Sequence, residues 1–274
     1  MSGTLAGWRV LVTRGGEWGD RVTELLAEHA AEAVVVPLIE FAPPDELTCL
    51  DSGLAGLARG VYDWVTITSG TTVPYLAARA LLQADPNSAA ALTPGAALAA
   101  LLGTARVAAV GPGTAAALER IGIVPDLVPL GERSARGLLA EFPPLADART
   151  GRVLVPHSDL AEPTLADGLR AAGWHVDAVV AYRTLSGPVP GEELRAQVRS
   201  GEFGAVLLSS ASTVANLIEL VGTPPVGTVV CCIGPRTHRA AVDHGLTVHV
   251  VPSEASAEGL VDGLVRHVQE ARQL

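Results

Sequence analysis

The chain has 274 residues, of which 49% are hydrophobic and 4% aromatic, and its formal net charge is −10. This length is sufficient for one large or two medium domains, and an aliphatic core suits parallel strands covered by helices, so the composition favours an α/β fold. The negative charge argues against a nucleic acid or an anionic membrane as the partner, because both require clustered Lys and Arg.

The basic side chains other than His are all Arg, since the sequence contains no Lys. Arg suits bidentate contacts with carboxylates, although the codon bias of a GC-rich genome explains its use equally well. Schiff-base and P-loop chemistry both need a lysine, so the sequence excludes them.

The three cysteines, Cys49, Cys231 and Cys232, form no C-x-x-C pair, and we expect them to be reduced core residues. The first residues, MSGTLAGWRVLVTR, contain no long apolar stretch and lead directly into a strand pattern. We therefore expect neither a signal peptide nor a membrane span, and a cytoplasmic location.

Short β-branched runs alternate with Ala- and Leu-rich stretches of helical length, separated by turn residues, in a βαβα order. Helices are expected between the strands, for example at Arg21–His29 and Thr237–His244. The predicted strands are Arg9–Thr13, Trp64–Thr68, Arg106–Val110, Val153–Val155, Val176–Tyr182, Ala205–Leu208, Val229–Ile233 and Val248–Val251.

Segments of the first half recur in the same order in the second half, which indicates an internal duplication. RVLVTR at Arg9–Arg14 recurs as RVLVPH at Arg152–His157. WVTITSGTTV at Trp64–Val73 has a counterpart with the same pattern in AVLLSSASTV at Ala205–Val214. Each is an apolar strand that is followed by Ser and Thr residues.

A third pair, VAAVGPGTAAALERIGI and VCCIGPRTHRAAVDHGL, leads in each copy to a Ser-x-x-Gly-Leu sequence, at Ser134–Leu138 and at Ser256–Leu260. Three matches in one order favour two similar α/β lobes. Ligands of open parallel sheets bind at the carboxyl ends of the strands, so we expect the site in the cleft between the lobes.

Each repeated strand end offers hydroxyls, small residues and a helix N-terminus. Unpaired N–H groups and the positive end of the helix dipole attract carboxylate or phosphate groups. Ordinary N-capping by Ser and Thr accounts for any one of these segments equally well, but their coincidence favours binding. The segments are Thr68-Ser69-Gly70, Gly111-Pro112-Gly113-Thr114, Ser209-Ser210-Ala211-Ser212 and Gly234-Pro235-Arg236-Thr237.

A dinucleotide site is the main cofactor alternative, because the turn from Gly111 to Ala116 matches a loose G-x-G-x-x-A pattern. Its duplicate has Arg236 in place of the second glycine, and neither Asp126 nor Glu132 clearly ends the next strand. The sequence also lacks a G-x-S-x-G elbow, an H-E-x-x-H motif and a Cys/His cluster with zinc spacing. We therefore expect no cofactor and no metal.

Tyr182 is one of three tyrosines and closes the apolar run VDAVVAY, before Arg183 and Thr184. A phenol at a strand end could donate a proton or a hydrogen bond to a ligand. Packing of a tyrosine that anchors the strand end accounts for the position equally well.

Taken together, these segments resemble the uroporphyrinogen-III synthase family over nearly the whole chain. The likeness rests on the order and spacing of RVLVTR, DWVTITS, VGPGTA, RVLVPHSD, GWHVDAVVAYRT, LLSSASTV, IGPRTHRAAVDHGL and EGLVDGLV. No single one of these motifs is diagnostic.

The resemblance implies two flavodoxin-like lobes, each a doubly wound parallel sheet, joined by a two-stranded hinge near Val36–Phe41 and Val180–Ser186. The first lobe would comprise residues 1–37 and 184–274, and the inserted second lobe residues 38–183, with the active-site cleft between them. The chain would be a cofactor-free lyase of haem biosynthesis. Its substrate, hydroxymethylbilane, has eight carboxylates, loses water and cyclises through a spiro intermediate with its last ring inverted.

Tyr182 matches the family tyrosine proposed to assist departure of the substrate hydroxyl. Thr71 departs from the family pattern, because relatives often carry a longer polar residue there, which puts carboxylate binding by that loop in doubt. The expected substrate-binding residues are Thr13, Arg14, Thr68, Ser69, Gly111, Thr114, Ser158, Ser209, Ser210, Ser212, Gly234 and Thr237.

A sensor of the same fold, which binds a tetrapyrrole or another polyanion without turnover, is the alternative. Such modules are attached to DNA-binding regions in some proteins, and from its length we expect no such attachment in this chain. We therefore favour the enzyme, and we expect it to act as a monomer.

Overall fold

A computed structural model describes residues 3–84, 91–145 and 150–273. In these ranges the chain is an α/β protein with two sheets, which confirms the class expected from its composition. It divides into two compact units. Unit 1 contains the described residues up to Glu40 and from Leu185 onward, and unit 2 contains Phe41–Thr184. No helix in the described ranges is long and apolar enough to cross a membrane.

The strands and helices alternate along most of the chain. The strands are β1 Arg9–Val12, β2 Glu32–Val35, β3 Ile39–Ala42, β4 Trp64–Ile67, β5 Arg106–Ala109, β6 Arg152–Ser158, β7 His175–Ser186, β8 Ala205–Leu208 and β9 Val229–Cys232. The helices are α1 Gly16–Glu28, α2 Thr48–Ala58, α3 Thr72–Gln83, α4 Pro94–Leu102, α5 Pro112–Glu119, α6 Ala135–Glu141, α7 Thr164–Ala171, α8 Glu192–Ser200, α9 Ala211–Asn216, α10 Pro235–Asp243 and α11 Ala257–Ala271. A π-helical segment, Leu217–Val221, continues α9.

Unit 1 is built on a sheet of order β2-β1-β8-β9, in which each neighbouring pair is parallel. The central strand β1 shows why the core has two halves. Val10 and Val12 pack on one face with Leu26 of α1 and Leu264 of α11, whereas Leu11 packs on the other face. Because side chains alternate along a strand, a strand covered by helices on both faces must be apolar throughout.

Unit 2 is built on a sheet of order β3-β7-β6-β4-β5, in which the pairs β7–β6, β6–β4 and β4–β5 are parallel. One face of this sheet is covered by α2, α3, α4 and α5, for example through Leu54 and Leu76. The other face packs against α6 and α7, through Leu138 and Leu169. Unit 2 therefore repeats the three-layer arrangement of unit 1.

The two segments that lead from one unit to the other are hydrogen-bonded to each other within unit 1. The carbonyl of Leu38 accepts the N–H of Gly187 at 2.9 Å and the side-chain amide of Asn216 at 2.6 Å. Gly187 has no room for a side chain, since a Cβ atom would lie 2.1 Å from the carbonyl oxygen of Pro37. This close approach requires glycine at position 187.

Several predicted elements differ from those observed. Val248–Val251 is not a strand, since only an isolated bridge from Val250 to Cys231 forms there. The strand β2 was not predicted, β3 overlaps the hinge segment expected near Val36–Phe41, and β7 extends four residues beyond Tyr182 to Ser186. Helix α1 begins at Gly16 rather than at Arg21. The other predicted strands are confirmed, with ends that shift by at most one residue except in β6, which runs from Arg152 to Ser158.

One cysteine prediction is wrong. All three thiols are free, and Cys231 and Cys232 are fully buried in β9, but Cys49 is exposed on α2. Helix α2 packs through Leu50, Leu54 and Leu57, and Cys49 lies outside this apolar face.

Candidate active site

In unit 1 the carboxyl ends of three adjacent strands bring predicted residues together. The strands β1, β8 and β9 are neighbours and run parallel, so their carboxyl ends lie at one edge of the sheet. At this edge β1 leads into Thr13 and Arg14, β8 leads into Ser209 and Ser210, and β9 leads to Gly234. The sheet thus assembles segments that are up to about two hundred residues apart in sequence.

The hydroxyls at this edge of unit 1 are used differently. Thr13 is buried, and its hydroxyl donates to the carbonyl of Leu207 at 2.7 Å. Ser210 caps α9 in a capping box with Thr213, in which each side chain accepts the other's backbone N–H. Ser209 differs from both, because its Oγ is buried and has no hydrogen-bond partner in the described structure.

Unit 2 has an equivalent edge, formed by the neighbouring parallel strands β6, β4 and β5. Their carboxyl ends carry Ser158, the pair Thr68 and Ser69, and Gly111. The predicted residues of unit 2 other than Tyr182 and Thr114 therefore also share one sheet edge. Thr114 lies one turn further, in the first turn of α5, and is buried.

The capping box of unit 1 is not formed at the corresponding residues of unit 2. The repeat aligns Ser69 and Thr72 with Ser210 and Thr213. Ser69 Oγ accepts the N–H of Thr71 at 3.2 Å, and Thr72 Oγ1 is buried without a partner in the described structure. Thr72 is not among the predicted residues, although its alignment with the capping residue Thr213 is a signal that identifies it.

Other predicted residues form local contacts. Ser158 Oγ accepts the N–H of Leu160 at 3.2 Å, and the Arg14 guanidinium lies over the Trp18 ring at 5.8 Å. Thr237 is buried in the first turn of α10 and Ser212 is half-buried in α9. Ser158 thus supports the capping explanation of the strand-end hydroxyls, as Ser69 and Ser210 do.

Tyr182 lies on β7 opposite Ser158 of β6 and is 6% exposed. Its ring stacks on Tyr75, with ring centroids 5.5 Å apart, and contacts the ring of Phe41 edge to face at the same distance. Burial, together with the neighbouring Tyr182, raises the pKa of Tyr75 above its usual value. No described residue forms a hydrogen bond with the Tyr182 hydroxyl, so packing holds the ring and leaves the phenol oxygen available.

The two acids considered for a ribose-binding role both form local hydrogen bonds. The carboxylate of Asp126 accepts the N–H of Val107 at 2.8 Å, and Glu132 accepts the hydroxyl of Ser134 at 2.6 Å. Both acids that could have bound a ribose are therefore engaged in local structure. Within the described ranges no group of three His, Cys, Asp or Glu side chains is arranged to hold a metal ion.

Sequence comparison identifies the family. Residues 20–262 match the family model described as "Uroporphyrinogen-III synthase HemD". The chain belongs to the uroporphyrinogen-III synthase family. The match extends over most of the chain, which confirms the resemblance inferred from the motifs.

Two curated relatives agree with membership of the uroporphyrinogen-III synthase family. The "Porphyrin biosynthesis protein HemD" of Ruminiclostridium josui is 25% identical over 273 residues, which cover 97% of this chain and 49% of the relative. A "Putative uroporphyrinogen-III synthase" of Methanothermobacter thermautotrophicus is 31% identical over 173 residues, covering 58% of this chain and 65% of the relative. The chain thus spans about half to two thirds of the length of these relatives.

Solved structures of uroporphyrinogen-III synthases share the fold. A mutant uroporphyrinogen III synthase of Thermus thermophilus superposes with a TM-score of 0.61 at 22% identity, and the match covers 96% of this chain and 99% of the other. The uroporphyrinogen-III synthetase of Helicobacter pylori gives a TM-score of 0.59 at 13% identity, covering 97% and 98% of the two chains. These matches establish the fold of the family for this chain.

Proposed function

We propose that this chain is an active uroporphyrinogen-III synthase, a lyase that converts hydroxymethylbilane to uroporphyrinogen III and water. The observation that carries the proposal is the family match over residues 20–262. Neither curated relative is described as a sensor or a regulator, so the non-catalytic alternative has no observation in its favour.

The two sheet edges suit a substrate with eight carboxylates. Each edge combines helix N-termini, whose N–H groups and dipoles attract anions, with hydroxyls that can donate to carboxylate oxygens. Ser209 and Thr72 are the best placed of these hydroxyls, because their oxygens are buried and unpartnered in the described structure. A buried hydroxyl without a partner costs about 1–3 kcal/mol, and a ligand that accepts its proton would remove that cost.

Tyr182 is the proposed general acid of this reaction. Its phenol donates a proton to the departing hydroxyl, which leaves as water, and the phenolate then recovers the proton that is lost when the cyclised ring regains its aromatic state. The contacts with Phe41 and Tyr75 restrict the ring to one orientation, which favours this role. Each sheet edge offers donors to the carboxylates of the flexible linear substrate.

We also infer that the chain arose by duplication and that the units correspond to two flavodoxin-like lobes. Strands matched by the repeat occupy the same places in the two sheets. The order β2-β1-β8-β9 in unit 1 corresponds to β7-β6-β4-β5 in unit 2, and both follow the 2-1-3-4 order of flavodoxin-like sheets. On this interpretation each sequence half contributes two strands to each unit.

The deciding experiment is an assay of the purified chain with freshly generated hydroxymethylbilane. The products are oxidised to porphyrins, and the type I and type III isomers are separated by chromatography. We expect the type III isomer to dominate, since spontaneous closure without inversion gives only type I. Formation of type I alone, at the rate seen with heat-denatured protein, would refute the proposed activity.

A further inference from the structure

Unit 2 has a second polar surface that lies away from the carboxyl edge of its sheet. It is an open groove of about 610 Å³ between α2 and the beginnings of β6 and β7. Arg152 is the first residue of β6, and Tyr62 precedes β4 by two residues. The groove is therefore at the amino ends of the strands, whereas Thr68 and Ser69 follow the carboxyl end of β4.

The charge of this groove is opposite to that of the whole chain. Three of its lining residues are Arg59, Arg152 and Arg170, and Asp177 is the one acidic residue among the described residues that line it. The chain as a whole carries a formal charge of −10. A local excess of guanidinium groups on an acidic protein creates a positive potential that attracts anions.

The three arginines differ in how they are held. Arg152 lies 3.1 Å from the carboxylate of Asp177, which also accepts the hydroxyl of Tyr62 at 2.7 Å. Arg170 lies 3.0 Å from Asp167, on the preceding turn of α7. The Arg59 side chain is exposed and has no ion pair or hydrogen bond to any part of the chain that the structure describes. The guanidiniums of Arg152 and Arg170 are thus held by carboxylates, and that of Arg59 is available to bind a ligand.

The wall formed by α2 is made of small residues. Gly56 packs against the ring of Tyr62, and a Cβ atom there would lie 2.6 Å from that ring. Ser52, on the same helix, adds a hydroxyl to the lining. The absence of larger side chains from this part of the described lining leaves a concave surface next to the guanidiniums, and its volume lies in the usual range of small-molecule sites.

We propose that this groove binds a small polyanion that carries at least two carboxylate or phosphate groups. Arg binds both groups through paired N–H donors, and three arginines along one groove favour a ligand with more than one oxyanion. The inference does not depend on the proposed reaction, because the residues that carry it are separate from both carboxyl edges.

The test is a titration of the whole chain with citrate and with pyrophosphate, followed by calorimetry and by NMR of the arginine Nε–H resonances. We expect saturable binding of one probe or both, with the largest shifts at Arg59, Arg152 and Arg170. Tighter binding of citrate than of pyrophosphate would indicate that the natural ligand carries carboxylates. Tighter binding of pyrophosphate would indicate that it carries phosphates. Sodium chloride at matched ionic strength should leave these resonances unchanged.

The test variant is Arg59→Gln, which removes an exposed guanidinium from the groove. The matched control is Arg272→Gln, which removes an exposed guanidinium at the C-terminal end of α11. Arg59→Gln should weaken binding about tenfold, as expected for the loss of one charge-assisted contact, and Arg272→Gln should not. Because Arg59 has no structural partner among the described residues, its variant should remain folded. The proposal fails if neither probe binds beyond the salt control, or if Arg59→Gln binds as tightly as the unmodified chain.

Discussion

The hydroxyls at the carboxyl ends of the strands fall into two chemical groups. Ser69, Ser158 and Ser210 accept nearby backbone N–H groups, as capping and turn residues do. Ser209 and Thr72 have buried oxygens without partners in the described structure. Because proteins rarely leave buried polar groups unpaired, the second group is the better candidate for contact with a ligand.

Replacement of Ser209 by Ala and replacement of Ser210 by Ala should therefore have different effects on the free energy of unfolding. Ser209→Ala should leave the free energy of unfolding unchanged, or raise it by up to about 1 kcal/mol, and should lower kcat/KM for type III product. Ser210→Ala should lower the free energy of unfolding by about 1 kcal/mol, because it removes the capping box of α9. Urea unfolding of each variant measures the change in the free energy of unfolding, and the isomer assay measures the change in kcat/KM. Equal destabilisation by the two changes would assign Ser209 a structural role instead.

Tyr182 allows a similar separation of function from stability. Tyr182→Phe keeps the ring contacts with Phe41 and Tyr75, so the free energy of unfolding should change by less than about 1 kcal/mol. The rate of type III formation should fall about a hundredfold, the usual contribution of a general acid. Wild-type turnover in this variant would return Tyr182 to a packing role.

Tyr62→Phe is the matched control for loss of a phenol. The Tyr62 hydroxyl donates to Asp177, and burial together with this hydrogen bond raises the pKa of Tyr62 to about 12. Its removal should cost about 1 kcal/mol of stability and leave turnover unchanged, the reverse of the pattern expected at Tyr182.

At the scale of elements, the repeated Ser-x-x-Gly-Leu sequences have the same local geometry in both units. Ser134 caps α6 and Ser256 caps α11. In each copy the glycine lies against a carbonyl five residues earlier, and a Cβ atom would lie 1.6 Å from the oxygen of Glu132 at Gly137 and 2.4 Å from that of Glu254 at Gly259. The motif is therefore a helix start that needs glycine in its first turn.

We expect Gly137→Ala and Gly259→Ala each to lower the free energy of unfolding by about 2 kcal/mol, because the backbone must move to admit the methyl group. Gly113→Ala is the control, since nothing lies within 4 Å of its Cβ position and it is in the first turn of α5. That change should be neutral or slightly stabilising. Thermal and urea unfolding of the three variants test the comparison, which fails if all three behave alike.

At the scale of the whole molecule, the two units differ in how the chain builds them. Unit 2 is one continuous segment, and its sheet β3-β7-β6-β4-β5 lies within residues 39–186. Unit 1 combines two segments, because its central strand β1 comes from the start of the chain and pairs with β8, almost two hundred residues later. The segments share one core, so neither can bury its apolar side chains alone.

A fragment of residues 39–186 should consequently fold by itself and unfold cooperatively. A fragment of residues 187–274 should remain largely unfolded, since it has β8 and β9 but lacks β1, and with it the neighbour that covers β8. Far-UV circular dichroism during thermal unfolding distinguishes the outcomes. A cooperative transition of the fragment 187–274 would contradict the dependence of unit 1 on both segments.

The sequence by itself determined the α/β class, most strand positions and the family. Apolar runs buried on both faces, such as β4 and β8, stand out against their turns, and the hydroxyl-rich segments follow them at fixed positions. The strand β2 was not predicted, although Ala33, Val34 and Val35 form an apolar run, and none of its four residues is buried in the structure. The duplication, the hinge, the monomeric state and the cytoplasmic location stay predictions.

Only the tertiary structure decided which strands become neighbours and which hydroxyls remain free. Pairing of parallel strands depends on burial between distant segments, which local periodicity does not record. Thus Val248–Val251 has the composition of a strand but forms only one bridge, and Cys49 is exposed although it is apolar. Ser209 and Ser210 are adjacent in sequence, but only Ser210 lies in the backbone geometry that caps a helix, so a difference invisible in the sequence separates their expected roles.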